Sequence, residues 1–125
     1  MKYDREFWAL LDKLVATHKL VIDRPKGTAH PRYDDYIYPF NYGYLEGTSS
    51  SDSDGIDVWI GSDEEKGVTG IISSVDIIKS DSEIKILYNC TPEEIRCIYD
   101  EHNRSSGMKG LLNMRGIMLE DLPNG

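Results

Sequence analysis

Residues 36–60 read YIYPFNYGYLEGTSSSDSDGIDVWI, and the fold turns on this stretch. Tyr36 to Tyr44 is rich in aromatic residues that suit a pleated backbone, so it is expected to be extended, with breaks at Pro39 and Gly43. Gly47 to Gly55 concentrates Ser, Asp and Gly, which favour turns, and reads as a loop. Ile56 to Ile60 then alternates, with Ile56, Val58 and Ile60 on one face of a strand. Strand, acid-loaded loop and strand imply a β-rich body.

Working outward, Leu20-Val21-Ile22 reads as a strand that runs into a loop marked by Pro25, Gly27 and Pro31. Val68 to Ile78 and Ile84 to Tyr88 read as two more strands, joined into a hairpin by Lys79-Ser80-Asp81-Ser82-Glu83. Two helices flank this body. Asp4 can cap the first, where Phe7, Trp8, Leu11, Leu14 and Val15 fall on one helical face. Thr91-Pro92-Glu93-Glu94 opens the second with an N-cap, a proline at the first helical position and a capping box. The expected helices run near 5–17 and 92–103. The glycine-rich tail from Ser105 carries no assignment. No repeat and no long linker divides the chain, so residues 1–125 are expected to form a single domain.

Composition narrows the function. The net charge is −8, and it is concentrated: Glu46 to Glu101 carries 14 acids against four Lys or Arg, while the flanks are slightly basic. Such a chain suits neither a nucleic-acid backbone nor an anionic membrane surface. No apolar run reaches the roughly 20 residues that span a bilayer, and the acidic start does not read as a signal peptide, so a cytoplasmic location is expected. Cys90 and Cys97 are expected to be unpaired thiols, since neither sits in a zinc-ligand pattern.

Concentrated carboxylates suit hard cations. In Asp52-Ser53-Asp54-Gly55-Ile56-Asp57, residues two apart on an extended chain point the same way, so Asp52 and Asp54 can converge. Asp57 is one residue out of phase, and a bend at Gly55 would bring it back. Three carboxylates that close repel one another unless a cation sits among them. An EF-hand reading fails, because Gly61 would stand where that loop needs a bidentate Glu. Upstream, Arg32 and Tyr38 to Tyr44 mix cationic and phenolic groups of the kind that bind outer phosphate oxygens.

Taken together these residues resemble the soluble family I inorganic pyrophosphatases. Asp23 and Arg32 stand nine residues apart, matching an acid and a phosphate-binding Lys of that family, and Asp34 matches its next carboxylate. Tyr-Pro-x-Asn-Tyr-Gly is intact as Tyr38 to Gly43, and Asp-x-Asp-x-x-Asp follows as Asp52, Asp54 and Asp57. A later Asp and Asp-x-Lys resemble Asp81, Glu83 and Lys85, and a Tyr-Lys pair on the last helix resembles Asn103-Arg104. The similarity covers roughly residues 18 to 104.

The resemblance implies an α+β, mainly β fold: a small OB-like five-stranded β-barrel with the two helices outside. It implies hydrolysis of pyrophosphate with several Mg²⁺ ions, Mn²⁺ being a substitute. Asp52, Asp57, Asp81, Glu83 and Asp23 would hold the metals, and Asp54 would orient or deprotonate the water that attacks in line as hydroxide. Tyr42, Arg32, Lys85 and Arg104 would bind phosphate, with Asp34 and Tyr38 lining the site. Homo-oligomers are common in the family.

One departure stands out. The family's phosphate-binding Arg lies on a hairpin between the positions of Asp34 and Tyr38, where only Asp35, Tyr36 and Ile37 remain. Arg24 or Lys26 is expected to replace it, Lys26 being favoured because Gly27 lets the loop fold inward. A more open pocket also admits two alternatives: a hydrolase of larger phosphoanhydrides, or a weakly catalytic metal- or phosphate-binding relative.

Overall fold

The computed structural model describes residues 2–50 and 54–116. Among these residues six strands form one mixed sheet: β1 (Leu20–Arg24), β2 (Asn41–Leu45), β3 (Ile56–Ile60), β4 (Val68–Asp76), β5 (Asp81–Tyr88) and β6 (Met108–Met114). The spatial order is β1-β2-β3-β5-β4-β6. All neighbours are antiparallel except β3 and β5, which run parallel with Asp57 beside Lys85. Helix α1 (Lys2–Ala16) precedes the sheet and α2 (Pro92–Asn103) lies between β5 and β6. No described helix is long and apolar enough to cross a membrane.

The strand period of two divides the sheet into two working faces. On one face Leu45, Val58, Ile60, Val68 and Ile86 are buried beneath Trp8, Leu11, Leu14 and Val15 of α1. On the other, Trp59, Ile72 and Leu87 are buried with Ile95 and Ile98 of α2. Each fully buried Leu or Ile contributes about 2 kcal/mol by leaving water. The residues in phase with Trp59 and Leu87 but beyond the reach of α2 are Asp57, Glu83 and Lys85. The face that α2 covers at one end is thus left open at the other, and polar groups take the place of apolar ones there.

Local chemistry fixes the elements. Thr91 Oγ1 accepts from the Glu94 amide while Glu94 returns a carboxylate oxygen to the Thr91 amide, the capping box expected from sequence. Gly43 lies inside β2 and does not break it; a Cβ there would collide with the carbonyl oxygen of Val21 across the strand pair. Gly55 adopts φ 95°, the bend anticipated before Asp57.

Two expectations shift. The run Val68 to Ile78 was expected to be one strand, but β4 stops at Asp76, whose side chain accepts from the amides of Ile78 and Lys79 at 3.0 and 3.2 Å. This side-chain turn outcompetes the ladder, leaving Ile77 and Ile78 exposed and starting β5 at Asp81. The second shift is strand number. The mainly β, OB-like architecture with two helices holds, but the sheet has six strands where five were expected, because the unassigned tail supplies β6 against β4.

Candidate active site

An open cleft of about 550 Å³ lies on the uncovered part of the α2 face, lined by Asp23, Asp54, Asp57, Asp81 and Glu83 together with Arg24, Tyr42, Lys79 and Lys85. Strand register assembles it. Asp57 and Lys85 are paired across β3 and β5, Tyr42 faces Trp59 across β2 and β3, and Arg24 faces Tyr42 across β1 and β2. A register shift between Ile22 and Arg24 bulges β1 at Asp23.

Lys85 organises the floor. Its ammonium donates to Tyr42 Oη and lies 3.3 Å from Asp57 Oδ2 and 3.0 Å from Glu83 Oε1. Its side chain is only 11% exposed, so this cation is held by the protein and not by water. Burial pulls the Lys85 pKa down, but Tyr42 and the carboxylates of Asp57 and Glu83 outweigh it and hold the ammonium above its ordinary range. Tyr42 is pushed up by burial, against the pull of the adjacent ammonium, and remains a phenol able to donate.

Aromatic rings build the back wall. Tyr38 packs on Tyr42 at 5.4 Å between centroids, and Tyr42 meets Trp59 edge-on at 4.7 Å. Trp59 Nε1 donates to His102 Nε2 at 3.1 Å, which joins the wall to α2. Burial, then the Lys85 charge, lowers the His102 pKa to about 4, so the ring is neutral and able to accept that bond.

The structure gathers Asp23, Asp54, Asp57, Asp81, Glu83, Lys85, Tyr42 and Tyr38 around one cleft. Asp52 lies outside the described residues. Arg32 lines an adjoining cavity and not the cleft itself. Asp34 is exposed on the loop closed by the Ala29–Ile37 bridge. Arg104 is 68% exposed, pairs with Glu101 at 3.1 Å and borders a separate depression with Cys97 and Asp100. Asn103 is spent on structure: its amide bonds Tyr99 and Gly110 and ties α2 to β6. Of the two cations expected to replace the hairpin arginine, Lys26 sits 5.9 Å over the Phe40 ring, away from the cleft, whereas Arg24 lines it and donates to Tyr38 Oη at 3.3 Å. Cys90 is a buried free thiol, as expected, its pKa pushed up to about 12 by burial; Cys97 is free and half-buried.

Sequence reasoning missed Lys79 and His30, which also line the cleft. Lys79 was hidden by the apolar run before it; the signal was Asp76, a turn-forming side chain followed by two residues with no further alternation.

Divalent ions fit this donor set only in part as it stands. Among the described residues no three His, Cys, Asp or Glu side chains already form a cage. Yet magnesium uses one or two carboxylates and keeps its remaining positions for water and substrate oxygens, which suits carboxylates spread round an open cleft. Asp57 and Glu83, now joined through Lys85, are the half-buried oxygen donors at its centre.

Comparisons with known proteins agree with the geometry. No curated protein sequence matches the chain. A crystal structure of an inorganic pyrophosphatase from Neisseria gonorrhoeae shares the fold, with a TM-score of 0.51 at 18% identity over 72% of this chain and 77% of that one. The family model for inorganic pyrophosphatase matches residues 12–80, a span that holds β1, β2, β3, β4 and the cleft residues from Asp23 to Lys79, and on that match the chain belongs to the inorganic pyrophosphatase family.

Proposed function

We propose that this protein hydrolyses inorganic pyrophosphate to two phosphates in a Mg²⁺-dependent reaction, with Mn²⁺ as a substitute. The observation that carries the reading is the floor of the cleft. A buried ammonium is held between Asp57 and Glu83 and bonded to a phenol, with Asp54 and Asp81 beside it. Asp57, Glu83, Asp81 and Asp23, with Asp52, are the groups to hold divalent ions. Such ions lower the pKa of bound water and neutralise phosphate charge.

The side chains divide the remaining work. Asp54 orients the attacking water and accepts its proton. Lys85, Tyr42 and Arg24 donate to phosphate oxygens, and a donor fixed in a poorly hydrated site stabilises developing charge without having to reorganise. Water adds to one phosphorus in line with the bridging oxygen, that P–O bond breaks, and the second phosphate leaves with its electron pair. No phosphoenzyme is required. The working unit in this reading is residues 1–125 as one cytoplasmic domain, with homo-oligomers allowed and no nucleic acid or membrane partner.

The test is phosphate release from pyrophosphate by the purified chain with Mg²⁺, before and after exhaustive chelation. Release that depends on added Mg²⁺ or Mn²⁺ is the expected result. Undiminished release after chelation rejects the metal-dependent mechanism, and none under any condition rejects the hydrolase reading in favour of a binding module.

A further inference from the structure

The carboxylate cleft does not end at Arg24. A second cavity of about 410 Å³ is lined by Arg24, His30, Pro31, Arg32, Tyr33 and Lys79. It shares Arg24, His30 and Lys79 with the cleft, so the two are continuous across those three side chains. Its lining contains no carboxylate.

Three cations meet there. Arg24, Lys79 and Arg32 line the cavity with His30, whose pKa is lowered by burial and then by these three charges. Neither Lys79 nor Arg32 has an ion-pair or hydrogen-bond partner for its charged group among the described residues. Arg24 donates to Tyr38 Oη at 3.3 Å and makes only a long ion pair with Asp23, at 3.9 Å. Crowded like charges repel, and an acidic chain has carboxylates in plenty to place beside them. None lines this outer cavity.

The loops that carry these cations are tied down. His30 Nδ1 accepts from the amides of Arg32 and Tyr33 at 3.0 and 3.2 Å. The His30 amide bonds Tyr36 and the Tyr38 amide bonds Thr28. On the opposite side Asp76 fixes the Lys79 amide. These bonds fix the backbone from which the exposed Arg32 and Lys79 side chains project beside the cavity.

We infer that this outer cavity is a subsite for a third phosphate, and that the protein binds and cleaves linear tripolyphosphate. The inference rests on the proposed reading of the cleft. The reacting terminal phosphate lies among the carboxylates, the middle one between Arg24 and Lys79, and the distal one against Arg32. Pyrophosphate, one unit shorter, leaves Arg32 unused. Water adds to the terminal phosphorus and its bridging P–O bond breaks. The electron pair leaves with the middle phosphate, so the products are orthophosphate and pyrophosphate. Among the other cations, Arg104 is turned onto Glu101 and Lys26 onto Phe40, while Lys79 and Arg32 are left open.

The experiment is calorimetric titration in Mg²⁺ with non-hydrolysable methylene analogues of diphosphate and of linear triphosphate. The proteins are wild type, Arg32→Ala, Arg32→Lys, Lys79→Ala and, as a remote control, Lys66→Ala. Wild type is expected to bind the three-phosphorus analogue about tenfold tighter than the two-phosphorus one, the equivalent of one good charged hydrogen bond. Arg32→Ala should remove that advantage and Arg32→Lys should keep most of it. Lys79→Ala should weaken both analogues, the longer one more, and Lys66→Ala neither. Equal affinity for the two analogues, absence of binding, or equal weakening of both by Arg32→Ala overturns the subsite. The outcome is independent of pyrophosphate turnover: a chain that releases phosphate from pyrophosphate but shows no preference loses only the subsite. One that prefers the longer analogue but releases none loses only the proposed hydrolysis.

Discussion

The two sides of the cleft are built differently. Asp57, Glu83 and Lys85 project from the adjoining strands β3 and β5, and their mutual positions follow from ladder register. The cations opposite come from a strand end and a turn, Arg24 at the close of β1 and Lys79 after β4, with Arg32 of the 30–36 loop in the adjoining cavity. Strand residues in a ladder cannot move without breaking paired backbone bonds, whereas loop residues accept insertion and loss. The difference teaches where such a site can change: substrate length is set on the loop side, while the reacting centre stays with the strands.

The sharpest way to break that comparison is to remove the cation that belongs to the strand side. Lys85→Met keeps length and bulk but leaves Asp57 and Glu83 without their shared ammonium and Tyr42 without its donor. Removing one preorganised donor from a reacting centre costs about 10²–10³ in kcat. Phosphate release from pyrophosphate should fall by at least about a hundredfold at saturating substrate. A loss confined to KM would show that Lys85 only binds and that the strand side is not the reacting side.

Within the strand side, two carboxylates should separate by role. Asp57→Asn is expected to weaken Mg²⁺ activation as well as turnover, since its oxygen lies at the centre of the carboxylate set. Asp54→Asn is expected to lower turnover by roughly the factor of 10²–10⁴ associated with general acid–base help, with a smaller change in the Mg²⁺ concentration needed. Activity titrations with Mg²⁺ on both variants read the difference. Identical losses in rate and metal requirement would end the distinction between ligand and base.

On the loop side Arg24→Ala should raise KM for pyrophosphate about tenfold with less effect on kcat, because the guanidinium lines the cleft without touching Asp57 or Glu83. Arg24→Lys should recover part of the loss. If kcat fell as much as with Lys85→Met, the two sides would not divide binding from reaction.

The same division decides what was legible in the sequence. Locally determined features read well: the alternation of Ile56, Val58 and Ile60, the capping box at Thr91 and the bend at Gly55 all follow from local rules that nothing tertiary opposes. Loop-borne features read poorly. Asp76 ended β4 two residues early and thereby lifted Lys79 into the cleft, although Ile77 and Ile78 continue the apolar run. Arg104 matched a motif position, yet at the end of α2 it pairs with Glu101 one turn back, while Asn103 binds β6. Strand β6 itself was invisible: Met108–Met114 shows no period of two, with Leu111-Leu112 set between Gly110 and Asn113, and only pairing with β4 makes it a strand. A motif supplies spacing along the chain. Whether a loop turns its side chain inward depends on which backbone groups capture the loop.

Lys26 gives the smallest expected effect and the cleanest check on that point. It lies in the Asp23–Gly27 segment, beside a glycine at φ 85°, and the inward fold that this glycine permits made it the favoured substitute for the missing arginine. The backbone is captured otherwise. The Lys26 amide donates to Asn41 Oδ1 at 2.8 Å, and the Gly27 amide to the Tyr38 carbonyl at 2.9 Å. These bonds turn the side chain over Phe40, where its ammonium lies 5.9 Å from the ring centroid and its stem is exposed. A cation–π contact at an exposed site is worth about 0.5–1 kcal/mol, enough to bias the rotamer and too little to hold it against a bound polyanion. Lys26→Ala should therefore leave kcat and KM for pyrophosphate within about twofold of wild type, while Arg24→Ala does not. A tenfold rise in KM for Lys26→Ala would mean that the side chain swings into the cleft when substrate binds. The loop side would then be a moving part, and its cations could not be counted from one conformation.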